Sequence, residues 1–132
     1  MRYDLDLANV VCSEQGFASV QIEGRLEASL GKDAILCVVN CEREEDCLVG
    51  FKGTPWHVHS RFTFSDAHGN YIEMSYLDVL AGLGDGTILV CERVDLGIVK
   101  DRWLIHRDYN DEYKYMEIGE KRVVYRAEKS GA

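Results

Sequence analysis

The chain has 132 residues, with 23 acidic and 15 basic side chains and a formal net charge of −8. This length predicts a single domain spanning residues 1–132, large enough to bury a core without disulfide or metal cross-links. The acidic balance argues against a nucleic-acid partner, because contacts to phosphates need a basic face. The longest apolar stretch, at 34–39, is too short to span a bilayer, so we expect no membrane-embedded segment.

The N-terminal third of the chain alternates apolar and polar residues, which predicts strands. One strand is predicted over 5–11, a turn over 13–16, and a longer strand over 20–30. Gly24 lies on the apolar face of the longer stretch and marks a bulge or a bend. We expect the two stretches to pair as an antiparallel hairpin.

Residues 29–41 fit two different structures. The helical spacing of the apolar residues within 34–39 favours a short helix, whereas their isoleucine and valine side chains favour a strand. Of the two, we predict the helix. The acidic run over 42–46 that follows is typical of a solvated turn.

The rest of the chain predicts two hairpins, a short helix and a last strand. In chain order these are 61–65 with 71–74, a helix from Ser75 to the glycines at 84–86, 87–93 with 98–107, and 123–125. Taken together, the pattern predicts an α+β domain with one or two short helices. Its main element is an antiparallel, curved or barrel-like sheet of about seven strands.

The five cysteines are Cys12, Cys37, Cys41, Cys47 and Cys91. Their odd number, and a start without the apolar core of a signal peptide, predict reduced thiols and a cytoplasmic location. Because no second cysteine pair matches Cys37 and Cys41, we expect small buried side chains here rather than a zinc site.

The segment from Trp56 to Arg61 is the sharpest candidate site. In a strand, His57 and His59 lie on the same face and can share a divalent metal with a third ligand from a neighbouring strand. No third histidine or carboxylate stands at a diagnostic spacing. The alternative is a polar strand face with two exposed histidines, and we expect no other cofactor.

A second candidate is the tyrosine-rich segment over 106–115, which is typical of a recognition surface. Its tyrosines alternatively cover the edge of the core. The loop over 50–56 either lines a pocket with Trp56 or closes the end of the sheet with it. The binding residues that we predict are Trp56, Arg61, His106, Arg107, Tyr109 and Tyr113.

A nucleophilic Cys91–His106 pair requires one particular register of the third hairpin. A loop over 94–97 places Cys91 near Lys100 instead, which counts against the pair. The sequence also contains no nucleophile elbow, P-loop or zinc-protease motif. We therefore favour a protein that is not an enzyme.

Three functions from different classes fit these features. We place first a non-enzymatic protein-interaction module of the inhibitor or immunity-protein kind, whose acidic surface binds a more basic protein. The second is a small metal-binding protein or metal-dependent enzyme centred on His57 and His59. The third is a domain that binds a small ligand near Trp56. The exposed edges of such a sheet also predict a homodimer.

Overall fold

The computed structural model describes residues 2–111 and 118–130. Within these ranges the chain forms two α-helices and ten strands, and all strand pairs are antiparallel. The helices are α1 (Leu5–Glu14) and α2 (Tyr76–Asp85). The strands are β1 (Ser19–Ile22), β2 (Arg25–Ser29), β3 (Ile35–Val39), β4 (Leu48–Phe51), β5 (His57–Val58), β6 (Phe62–Ser65), β7 (Tyr71–Met74), β8 (Ile88–Asp95), β9 (Ile98–His106) and β10 (Glu120–Tyr125).

The strands form three sheets around a common core. Strands β1 to β5 follow one another in a five-stranded meander, β6 pairs with β7, and the third sheet has the order β10-β8-β9. Leu26, Val38 and Val49 lie opposite one another on the inner face of the meander. The same core contains Phe62 of the two-stranded sheet and Val90 of the three-stranded sheet.

The architecture confirms the predicted α+β class and corrects its details. The described residues contain ten strands rather than about seven, and they form three open sheets rather than one curved or barrel-like sheet. A barrel needs its first and last strands to pair. Here the edges of the three sheets make no ladder with one another in the described ranges. No helix of this part of the chain is long and apolar enough to cross a membrane.

The strand predicted over 5–11 is wrong, because these residues form α1. The side chain of Asp4 accepts a hydrogen bond from the Leu7 N–H and caps the helix. Ala8 and Cys12, one helical turn apart, are both buried in the core. The spacing of the apolar residues in this segment fits a helix as well as a strand, and the capping hydrogen bond of Asp4 favours the helix.

The long alternation over 20–30 is itself a hairpin, so it does not pair with the N-terminal segment. Gly24 has a φ of +77° and makes the turn between β1 and β2. The helix predicted over 34–39 is also wrong. Residues 35–39 form β3, which lies between β2 and β4, and sheet pairing on both edges favours the extended form of its β-branched residues.

The elements predicted for the second half are confirmed. The pairs β6–β7 and β8–β9 are the two predicted hairpins, and β10 contains the predicted last strand. Helix α2 begins after Ser75, whose hydroxyl accepts from the Asp78 N–H at 3.2 Å. It ends at Gly86, which has the left-handed φ of +83° that favours glycine.

Candidate functional site

A groove of about 220 Å³ lies between β6 and β9. Its lining includes all four residues of β6 and residues 103–105 of β9. Successive side chains of a strand point to opposite faces, so a groove lined by successive residues follows the edges of the two strands. In the described part of the chain, β6 pairs only with β7 and β9 only with β8. We call this feature the edge groove.

The fold brings two of the predicted binding residues, Trp56 and Tyr109, to the same groove. Trp56 lies beside Phe62, the first residue of β6, with a ring-centroid distance of 6.3 Å. At the other end, Phe64 contacts the His106 ring, which in turn contacts Tyr109. Both strands therefore run from the Trp56 end towards the Tyr109 end.

His106 supports the Tyr109 end from below the surface. Its side chain is buried, with 4% of the residue exposed, and its ring centroid lies 5.0 Å from that of Tyr109. Its Nδ1 accepts a hydrogen bond from the Asp108 N–H at 3.0 Å, and its carbonyl accepts from the Asn110 side chain at 2.9 Å. Burial lowers the pKa of His106. This predicted binding residue therefore positions the loop rather than forming its exposed surface.

Acidic side chains surround the Tyr109 end. Asp66 and Asp108 line a shallow concavity on the other side of Tyr109, and Asp111 lines the edge groove itself. We call these three residues the acidic rim. A hydrogen bond from the Asn70 side chain lowers the pKa of Asp66 and keeps it charged. Arg107, another predicted binding residue, forms an exposed ion pair with Asp108 at 3.4 Å.

The Trp56 end opens into a second cavity that carries two arginines. This cavity of about 380 Å³ is lined by Trp56, Arg93, Asp101, Trp103 and Arg122, and we call it the arginine pocket. Trp56 and Trp103 belong to both lining sets, so the edge groove and the arginine pocket are continuous. The site therefore has the acidic rim with Arg107 at one end, and two arginines with Asp101 at the other.

His57 and His59 lie next to the groove as an exposed pair of imidazoles. Their ring centroids are 5.0 Å apart and the rings are nearly perpendicular. Nδ1 of His57 lies 3.0 Å from the Pro55 carbonyl, and Nδ1 of His59 lies 2.8 Å from the Cys47 carbonyl. A carbonyl only accepts, so each Nδ1 carries a proton, and Nε2 is the nitrogen that can donate a lone pair to a metal.

A metal site enclosed by protein needs a third ligand, and residues 2–111 and 118–130 do not supply one at these imidazoles. Among the described residues, no group of three or more histidine, cysteine or acidic side chains is placed to hold a metal ion. The pair can thus offer two nitrogen ligands, with solvent or another molecule completing the coordination.

The remaining predicted residues have separate positions. Arg61 is exposed and lies 3.8 Å from Glu73 on the neighbouring strand β7. Tyr113 lies outside the described residues. The Cys91–His106 pair does not form, because Cys91 lies opposite Trp103 in the β8–β9 register. This agrees with the prediction against the pair. The condition for a Cys91–Lys100 approach, a loop over 94–97, is not met, because the turn is shorter and the register shifts between Arg93 and Val94.

Sequence reasoning missed four residues of the arginine pocket: Arg93, Asp101, Trp103 and Arg122. The β8–β9 hairpin contained part of the signal, because its turn at Leu96-Gly97 places Arg93 near the start of β9. The register shift between Arg93 and Val94 then moves Arg93 by one residue to face Asp101, and the turn residues do not indicate that shift. The position of Arg122 opposite Arg93 depends on β10 joining the far edge of β8, which no local pattern indicates.

Comparisons with models of protein families, with curated proteins and with solved structures give no significant match for this chain. The functional conclusion therefore depends on the geometry of the site.

Proposed function

We propose that this protein is a non-enzymatic interaction module that binds an extended segment of another protein in the edge groove. The observation that carries this proposal is the pair of strand edges, β6 and β9, that face each other without pairing in the described ranges. The N–H and C=O groups along such an edge have no partner strand. An extended peptide supplies backbone groups that form hydrogen bonds with them. Apolar side chains of the groove then accommodate alternate side chains of the segment.

The charge of the chain supports a basic partner. The acidic rim lies beside Tyr109, and the whole chain carries a net charge of −8. Opposite charges on two proteins accelerate their association and disfavour wrong partners. Tyr109 adds a large contact surface with few rotatable bonds, which is typical of recognition loops. An inhibitor or immunity-type protein is one kind of module with these properties.

The size of the groove favours a peptide over a buried small ligand. Pockets that enclose drug-sized molecules usually have about 300–1,000 Å³. The edge groove has about 220 Å³. A strand can lie along such a groove while its outer side chains stay in solvent, whereas a small ligand there would remain largely exposed.

The test uses a displayed library of random heptapeptides, selected on the immobilised full-length protein. Selected peptides are then synthesised and titrated by calorimetry against the protein and against Thr63→Lys, which places a long charged side chain on the lining of the groove. Ser13→Lys on α1 is the matched control, because Ser13 is also exposed and the change in net charge is equal.

We expect Thr63→Lys to weaken binding by about tenfold or more, as for a central interface position, and Ser13→Lys to leave it within about twofold. Enrichment of no peptide, or equal binding to both variants, would contradict the proposal. Light scattering of the free protein addresses the predicted homodimer. If the protein is a dimer and Thr63→Lys dissociates it, the edge groove is occupied by a second copy of the chain. That result would contradict the proposal that the groove binds a different protein.

A metal-binding role is the second candidate function. It is supported by the two hydrogen bonds from Nδ1 of His57 and His59 to backbone carbonyls, which leave Nε2 of each ring as the atom that can bind a metal. In this role the pair would act as a two-imidazole chelate for a transition metal, and the titration that tests it is described in the Discussion.

A further inference from the structure

Arg122 is a nearly buried guanidinium with few partners in the described part of the chain. Its side chain is 10% exposed, and its Nε is buried with no hydrogen-bond partner among these residues. Among the described carboxylate oxygens, the nearest to its terminal nitrogens is Oε2 of Glu120, at 4.0 Å, which is too long for a hydrogen bond. Buried donors in folded proteins are nearly always bonded, so an arginine in this state needs an explanation.

The surroundings of Arg122 hold it in a fixed orientation. Its Cζ lies 4.8 Å from the centroid of the Trp103 ring, a cation–π contact that orients the guanidinium plane. Arg93, opposite Arg122 on β8, also lines the arginine pocket. The two arginines thus line the same open cavity.

Neither carboxylate beside the pocket satisfies Nε of Arg122. Glu120 contacts Arg93 instead, with an N–O distance of 3.2 Å. Oδ1 of Asp101 accepts from the backbone N–H groups of Trp56 and Arg102, at 3.1 and 2.9 Å. Nε itself is closed to solvent, so a ligand in the arginine pocket can reach only the terminal nitrogens of Arg122, which have no carboxylate of the described residues within hydrogen-bond distance.

We propose that the arginine pocket binds a carboxylate of the segment that occupies the edge groove, with Arg122 as its principal donor. This inference rests on the proposed function, because the pocket is continuous with the groove through Trp56 and Trp103. Planar guanidinium groups bind carboxylates through paired, charge-assisted hydrogen bonds. The carboxylate is either the C-terminus of the segment or an aspartate or glutamate side chain.

The two ends of the site then determine the direction of the bound segment. Its carboxylate lies against Arg122, and its basic residues lie towards Asp66 and Asp111 of the acidic rim, because Asp108 is paired with Arg107. A segment in the opposite direction would place its carboxylate among like charges, which disfavours that orientation. The site therefore selects segments that carry basic residues at one end and a carboxylate at the other.

The test uses two forms of the heptapeptide library, one with a free C-terminal carboxylate and one with a C-terminal amide. Peptides selected from each form are titrated against the protein, Arg122→Met and Arg122→Lys. Methionine keeps an unbranched side chain on Trp103 without N–H donors, and lysine keeps the charge without the planar fork. Arg43→Met is the control, because Arg43 is exposed in a separate turn and the loss of charge is equal.

We expect Arg122→Met to weaken binding of the selected peptides by about 10- to 100-fold, as for a lost charge-assisted contact. Arg122→Lys should bind them more tightly than Arg122→Met and less tightly than the unmodified protein. Loss of binding on amidation identifies the C-terminal carboxylate. Peptides that bind as amides only when they contain an acidic residue identify a side-chain carboxylate. Both results support the proposal.

Selected peptides that bind Arg122→Met as tightly as the unmodified protein would overturn the carboxylate pocket. If Thr63→Lys still weakened those peptides, the edge groove would remain their site, so the two failures are distinguishable. Thermal unfolding without peptide provides the second readout. A purely structural arginine would lose stability on Arg122→Met and show no dependence on peptide carboxylates.

Discussion

The backbone N–H of Trp56 donates a hydrogen bond to Oδ1 of Asp101 over 3.1 Å, and the two residues are 45 positions apart in the chain. The same oxygen accepts from the Arg102 N–H at 2.9 Å. One carboxylate thus joins the loop before β5 to strand β9. Because Trp56 lines both the edge groove and the arginine pocket, this contact determines how the two cavities meet.

Replacing Asp101 tests that role. We expect Asp101→Ala to lower the free energy of unfolding by about 1–3 kcal/mol, because two backbone donors lose their acceptor. Asp101→Asn keeps an oxygen at the same position and should lose clearly less stability. Urea unfolding followed by tryptophan emission measures both. An Asp101→Ala protein with the stability and emission of the unmodified chain would contradict this role.

Gly50 offers a second way to disturb the Trp56 loop. A Cβ at Gly50 would lie 2.8 Å from the backbone oxygen of Trp56, so Gly50→Ala forces β5 away from β4. We expect a loss of about 1–3 kcal/mol in unfolding free energy, typical of overpacking, together with a shift in tryptophan emission. Chemical denaturation and the native emission spectrum give the two values.

Gly53→Ala is the control for the Gly50 variant. A Cβ at Gly53 would meet no heavy atom within 4 Å, but this glycine has a φ of +84°. Alanine there should cost roughly 1–2 kcal/mol through backbone strain alone, without displacing Trp56. Identical emission changes in the two variants would refute a specific close approach at Gly50.

His106 should make the stability of the protein depend on pH. Burial lowers the pKa of His106 in the folded state, Arg107 acts in the same direction, and Asp108 and Asp85 act against them. Between the unfolded pKa of about 6.5 and the lower folded value, the unfolded chain binds more protons, so stability falls as the pH falls. Above that window the imidazole is neutral in both states, so His106 no longer changes the unfolding free energy with pH and the stability is at its highest with respect to this group.

The measurement compares unfolding free energies at several pH values for the unmodified chain and for His106→Gln. The variant should be less stable throughout, because the packing of the ring against Tyr109 is lost. Its difference from the unmodified chain should shrink as the pH falls through the window. A difference that is constant with pH would show that His106 does not titrate in this way.

The imidazole pair predicts a defined response to transition metals. We expect protein purified without a histidine tag to bind a single Cu²⁺ per chain, and Ni²⁺ more weakly, in keeping with the usual order of affinities. His57→Ala and His59→Ala should each remove most of the affinity, because a chelate needs both Nε2 atoms. Binding should weaken on acidification as protons compete for the rings.

His68→Ala is the matched control for the metal titration. His68 is exposed in the β6–β7 turn, and its backbone N–H is held by Asp66. Calorimetry with Cu²⁺ should give the same affinity for this variant and for the unmodified chain. The chelate would be excluded if His68→Ala lost as much Cu²⁺ affinity as the other two variants. It would also be excluded if none of the three substitutions changed the affinity.

The elements that sequence patterns predicted well are those whose partners are close in the chain. The β6–β7 and β8–β9 hairpins carry their own turn residues, and Ser75 and Gly86 mark the ends of α2 by local backbone chemistry. Residues 35–39 show the opposite case. Their pattern fits both a helix and a strand, and the choice depends on β2 and β4 lying on either side.

For the candidate site too, some features could be predicted from the sequence and others depend on contacts between distant segments. The sequence by itself determined the acidity of the chain and the spacing of His57 and His59. It also indicated Trp56 and Tyr109 as binding residues. Only the tertiary structure decided that Trp56 and Tyr109 share one groove and that Arg122 lies beyond its end. The physical reason is that a sequence pattern shows which face of a strand is apolar. It does not show which strand edges stay unpaired or which distant strands face each other.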